Sequence, residues 1–153
     1  MWPRCRRRAE SLRCLSFRQP WLDLLIFGPK TIEIRHWNTR HRGPLLLHSS
    51  RQVDREALDD FVARGILGKQ YTPTLGAVLA SGELKETFRY GSSTQFNNDA
   101  SKHLNPHIDD DDFAEFDFFG WAIASVRALA KPVPLRGQLG LFNANYDLRS
   151  MIG

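Results

Sequence analysis

Within residues 15–50, LSFRQPWLDLLIFGPKTIEIRHWNTRHRGPLLLHSS, the side chains able to do chemistry lie closely spaced. Lys30, Glu33 and Arg35 follow one another through a short β-like run. A lysine beside a carboxylate can anchor a phosphate or shuttle a proton, because desolvation lowers its pKa and the carboxylate opposes that shift. Lys30 and Glu33 are therefore the candidate catalytic pair. The competing reading is a plain Glu33–Arg35 ion pair on one strand face, worth about 0.3 kcal/mol if exposed. Arg18 and Gln19 precede this run, Arg40 and Arg42 follow it, and His48 and Ser49 end the next apolar stretch. Trp21 and Trp37 are aromatic surfaces on which a base could stack, an interaction of about 1–3 kcal/mol in single-stranded sites. Trp121, further along, is a third.

The elements that position these groups follow from periodicity. In residues 31–37 the alternation sets Ile32, Ile34 and His36 on one face and Thr31, Glu33, Arg35 and Trp37 on the other, since strand side chains repeat every two residues. Residues 12–17 read as a strand and residues 20–27 as a helix. Pro20 opens that helix, Gly28 ends it, and Leu22, Leu25 and Ile26 face inward. Residues 38–43 form a basic turn and residues 44–50 a strand. A second helix spans 54–64, with Asp54 as N-cap and Gly65 as its stop. Strands follow at 74–84, 119–129 and 138–143, with a Pro-containing connection at 131–136. The polar segment 85–112 reads as a long loop, functional or disordered. Its four aspartates, Asp109 to Asp112, lack the glycine bend and terminal glutamate of a calcium loop, so they read as a solvated cap for a short element.

These residues resemble a known family. The run Leu15-Ser16-Phe17-Arg18-Gln19-Pro20-Trp21, then Gly28-x-Lys30-Thr31-Ile32-Glu33-x-Arg35, Arg42-Gly43-Pro44 and His48-Ser49-Ser50 is similar to the ASCH domains of the PUA-like superfamily, with a looser echo at Phe119-Gly120-Trp121-Ala122. The resemblance implies an α+β fold: a mixed β-barrel of about five or six strands with flanking helices and a cleft associated with RNA or nucleotide ligands. Some relatives are amidohydrolases of acetylated cytidine that use a lysine, a threonine and a distant glutamate. Lys30 matches their lysine, but their nucleophilic threonine falls on Glu33. A carboxylate cannot replace a hydroxyl nucleophile there, so that activity is not carried over.

Composition bounds the remainder. The 153 residues suit one domain, expected over 12–150 with a polar insertion at about 85–115, preceded by a basic arm at 1–11 that carries no part of the fold. Residues 1–51 hold eleven Lys and Arg against three Asp and Glu, in a chain whose net charge is +4. The third that carries the motif is thus the basic part, which suits a polyanionic partner. The longest apolar run, 21–27, is broken by Asp23 and falls far short of the ~20 residues of a membrane span. With no apolar leader, the expected setting is cytoplasmic. Two cysteines, Cys5 and Cys14, make no metal quartet, and no cofactor or metal is indicated.

The expected function is binding of single-stranded RNA or a nucleotide-like small molecule in a basic cleft. Arg18, Lys30, Arg35, Arg40 and Arg42 meet phosphates; Gln19, Glu33, His48 and Ser49 hydrogen-bond a base or sugar; Trp21 or Trp37 stacks. The alternatives are a metal-independent hydrolase, a ribonuclease or amidohydrolase using Lys30 and Glu33, and a protein-interaction module docking through the acidic segment 109–119.

Overall fold

A computed structural model of the chain describes residues 10–146. Its strands are β1 (Glu10–Gln19), β2 (Ile32–Arg35), β3 (Gly43–Val53), β4 (Ala77–Arg89), β5 (Phe119–Pro134) and β6 (Leu141–Tyr146). They form one mixed sheet in the order β2-β5-β4-β3-β1-β6. Only β1 and β3 run parallel; every other neighbouring pair is antiparallel. The fold is α+β as expected, but the barrel is not formed. The four-residue β2 pairs only with β5 and β6 only with β1, so the sheet keeps two open edges.

Alternation sorts β1 and β3 into two packed faces. Leu15, Phe17, Leu45 and Leu47 join Trp121, Ile123 and helix α1 (Trp21–Phe27) in the main core. Cys14 and Leu46 face the other way, against Val78 and Phe142. Trp121 is fully buried and donates its indole N–H to the Trp37 carbonyl, so it is core and presents no surface to a ligand. Helix α2 (Arg55–Ala63) packs Phe61 against Leu24 and the edge of the Trp21 ring.

The segment 85–115 is not a loop. Its first residues extend β4 to Arg89, and three short helices follow: α3 (Ser93–Asn98), α4 (Ala100–His103) and α5 (Asp110–Ala114). Ser92 caps α3 through the Gln95 N–H, and Asp109 caps α5 through the Asp112 N–H, which is the capping role expected of the aspartate run. Beneath them Tyr90, Phe96 and Phe118 form a separate aromatic core. These helices of four to six residues are too short to show a helical period in sequence, and aromatic packing rather than propensity holds them. At the other end, Glu10 and Ser11, expected in the arm, pair with Tyr146 and Asn145 as the start of β1. The rest of the arm lies outside the described residues.

Asp54 ties α2 to α1 and to the cleft. Its carboxylate accepts from the Ala57 N–H (3.1 Å) as N-cap and from the Trp21 indole N–H (2.9 Å). Asp54→Ala should cost about 1–2 kcal/mol, a fall in melting temperature of roughly 3–8 °C for a chain of this size. Asp54→Ser, which can cap but not reach Trp21, should recover only part of that loss in thermal unfolding.

Candidate functional site

Lys30 leaves the turn after α1 and enters the interior, where it is 1% exposed. Its ammonium donates to the His103 carbonyl (2.9 Å), pairs with Glu33 Oε1 (3.1 Å) and lies over the Trp21 ring, 4.6 Å from its centroid. Glu33, 7% exposed, stands on β2 with its other oxygen, Oε2, accepting from Arg35 Nε (3.2 Å) and Nη2 (2.9 Å). Oε1 also accepts from the Ile34 N–H. The Arg35 guanidinium donates further to the Ser16 carbonyl and covers the Phe17 ring. Glu33, Arg35 and Trp37 thus share the face that the strand period assigned them.

The charges are mutually held. Burial pushes the Glu33 carboxyl up, but Lys30 and Arg35 together pull it further down, so it lies below its ordinary value. Burial lowers the Lys30 ammonium, and Glu33, shared with Arg35, restores only part of that shift. The three groups form a braced ionic floor of net charge +1 in which every charged atom named has a partner.

Above this floor opens a cavity of about 1330 Å3. Glu33, Arg35, Trp21 and Trp37 line it, as do Arg18 on β1, His48 on β3 and the connection between β5 and β6. The remaining expected site residues lie elsewhere. Gln19 is buried, its amide donating to the Thr74 carbonyl and its Oε1 accepting from the Asp23 N–H at the start of α1. Ser49 is buried with its hydroxyl on the Thr74 carbonyl. Arg42 is tied to the Thr39 and His41 carbonyls and to Thr87, and neither it nor Arg40 lines the cavity. Lys30 is the buried member of the floor and does not line the cavity.

The cavity also gathers residues not singled out in sequence. Arg51 at the end of β3, Arg136 after β5, Ser16 on β1 and Asn105 after α4 all line it. Asn105 is set by the insertion: its side-chain amide donates to the His103 carbonyl and its backbone N–H to His103 Nδ1. The same carbonyl receives Lys30, so the insertion is built into the site. Four arginines line the cavity (Arg18, Arg35, Arg51 and Arg136) against two carboxylates, Glu33 and Asp54. Among the described residues Arg18, Arg51 and Arg136 make no ion pair and no side-chain hydrogen bond, and no cluster of His, Cys, Asp and Glu is arranged to hold a metal.

The family pattern described as the ASCH domain matches residues 15–98, more than half of the chain. Activating signal cointegrator 1 of Mus musculus and of Homo sapiens are each 56% identical to it over 32 residues; the match takes in 21% of this chain and 6% of either relative. The chain therefore spans only a small part of those proteins' length. In structure the chain is similar to the S128A mutant of ZmASCH from Zymomonas mobilis, with a TM-score of 0.60 and 10% identity over 88% of this chain and 89% of that one. A second structure, of ASCH from Zymomonas mobilis, gives 0.54 at 8% identity over 90% and 89% of the two chains. At such identities the likeness is one of fold.

Breaking the floor should reveal its asymmetry. Glu33→Gln strands two cations and should cost about 3–5 kcal/mol in urea unfolding. Lys30→Met should cost clearly less, because Glu33 keeps Arg35. Since the folded Glu33 pKa lies below its ordinary 4.5, its contribution is present above that pH and is lost as pH falls through the folded value. Stability of the parent should therefore drop below about pH 4.5, and a stability-against-pH profile of Glu33→Gln should show a shallower acid limb.

Proposed function

We propose, for a chain that belongs to the ASCH domain family, that the cleft binds single-stranded RNA. The observation that carries this reading is the set of three arginines, Arg18, Arg51 and Arg136, that line one cavity and make no ion pair among the described residues. A cationic rim attracts phosphates and releases their counterions. The walls add flat apolar surface from Trp21 and Trp37, which suits unpaired bases that can splay out and stack. The volume of about 1330 Å3 exceeds the 300–1,000 Å3 usual for small-molecule sites, which favours a segment of strand over a single free nucleotide.

Lys30 and Glu33 act in this reading as a brace rather than as acid and base. Proton transfer needs a free lone pair or proton within reach of the substrate. The Lys30 ammonium is buried on a carbonyl, a carboxylate and a ring, and both Glu33 oxygens already accept hydrogen bonds. Their service is to hold Arg35 and Trp21 at the cavity surface.

The test is salt dependence. Binding of a short single-stranded RNA, followed by fluorescence anisotropy, should weaken with a log–log slope of roughly −2 to −3, at about 0.7 per phosphate neutralised. Arg51→Ala and Arg136→Ala should each flatten the slope by about 0.7, whereas Arg40→Ala should leave it unchanged. A parent protein that shows no binding at low salt, or that prefers duplex of the same length, would sink the proposal.

A further inference from the structure

Ser16 and His48 are cross-strand neighbours on the parallel pair β1 and β3, and both line the cleft. Ser16 Oγ stands 2.8 Å from His48 Nδ1, and His48 Nε2 stands 2.6 Å from the Leu135 carbonyl oxygen. A carbonyl can only accept, so Nε2 carries the ring proton, Nδ1 is bare, and the serine hydroxyl donates to it. Burial lowers the imidazole below its ordinary value, only partly offset by the Leu135 bond, so it rests neutral. A hydroxyl on a neutral base, with the base oriented by a third group, is the arrangement of an activated nucleophile. Here a main-chain carbonyl orients the ring where other such sites use a carboxylate.

Gly137 supplies an independent observation. Its φ lies outside the left-handed region, so the backbone does not demand glycine. A Cβ there would fall 2.7 Å from Ser16 Oγ and 2.8 Å from His48 Cε1. Only glycine lets the β5–β6 connection pass this close to the pair without displacing the serine hydroxyl or the ring, and both residues still line the cleft.

We propose that Ser16 is a catalytic nucleophile and His48 its base, acting on an acyl ester of a hydroxyl group carried by a phosphate-bearing ligand. The ligand class rests on the RNA-binding reading; the nucleophile does not. Ser16 Oγ attacks the acyl carbon while its proton passes to His48 Nδ1. The bond from that carbon to the ester oxygen breaks, and Nδ1–H protonates the departing alkoxide. Water then gives its proton to Nδ1, attacks the acyl-serine and releases the carboxylic acid, and the proton returns to Ser16. Arg35, bonded to the Ser16 carbonyl and open to the cleft, supplies positive charge for the oxyanion. With Nε2 fixed on Leu135, one nitrogen must serve as base and then as acid. That suits stepwise acyl transfer rather than in-line phosphodiester cleavage, which uses separate groups on opposite sides.

The experiment uses a fluorophosphonate as serine-reactive probe, with intact mass and peptide mapping, alongside hydrolysis of 4-nitrophenyl acetate and of a short RNA bearing a 3′-O-acetyl ester. The parent should gain one adduct on Ser16 and release acetate from both esters. Ser16→Ala and His48→Gln, checked for native circular dichroism, should lower both readouts by at least ~100-fold, and Gly137→Ala should block the adduct by displacing the serine hydroxyl or the ring. A parent that forms no Ser16 adduct and turns over neither ester above the Ser16→Ala level overturns the nucleophile. Cleavage of the aryl ester alone overturns the substrate class. RNA affinity of the parent is measured separately, so adduct formation without RNA binding counts against the binding reading and not against Ser16.

Discussion

Everything in the cleft depends on a lysine that cannot reach it. Lys30 is buried as an ammonium, and such a group persists in a protein interior only when its charge and donors are satisfied. Glu33 supplies the charge, the His103 carbonyl the hydrogen bond, and the face of Trp21 the remaining contact. Each partner comes from a different element: β2, the end of α4, and the start of α1. The lysine thus sets the distance between the short edge strand, the inserted helices and the first helix. Because Glu33 also holds Arg35, the same charge that fixes the framework aims a guanidinium into the cavity.

The legible parts of the sequence were those where one local period decides the outcome. Alternation assigned the faces of β2 correctly, and capping residues placed α2 from Asp54. On β3, neighbours His48 and Ser49 point to opposite faces, and of the two only His48 lines the cavity. Gln19 and Ser49 were drawn inward because the Thr74 carbonyl needed donors, a demand set by a residue far along the chain. Nothing local distinguishes Arg51 and Arg136 from other exposed arginines. Their meeting at one cavity is a product of strand order, in which the ends of β3 and β5 approach the end of β1. The inserted helices leave no such signal in the sequence for a related reason: they are too short for a period, and their aromatic residues form a core only where Tyr90 and Phe118 meet.

Family membership adds to this picture without replacing it. The ASCH pattern covers residues 15–98 and so takes in the second half of β1 and all of α1, β2, β3, α2, β4 and α3, with all three charges of the ionic floor. Arg136 and the connection that carries it fall outside the matched stretch, as do His103 and Asn105. The matched stretch thus carries the ionic floor and two of the rim arginines, Arg18 and Arg51, while Arg136 and Asn105 complete the cavity from later segments.

The rim arginines differ in kind from the floor. Arg18, Arg51 and Arg136 are exposed side chains near the ends of β1 and β3 and in the β5–β6 connection, and they make no ion pair among the described residues. Such groups attract a polyanion from a distance, and ordering them on contact costs conformational entropy. Charge on a rim acts mainly on the rate of encounter, whereas the lifetime of a complex is set by what is desolvated at its centre. Under the proposed reading, the rim would therefore set how fast a strand is captured, and the fit of its bases to the aromatic walls beneath would set how long it stays.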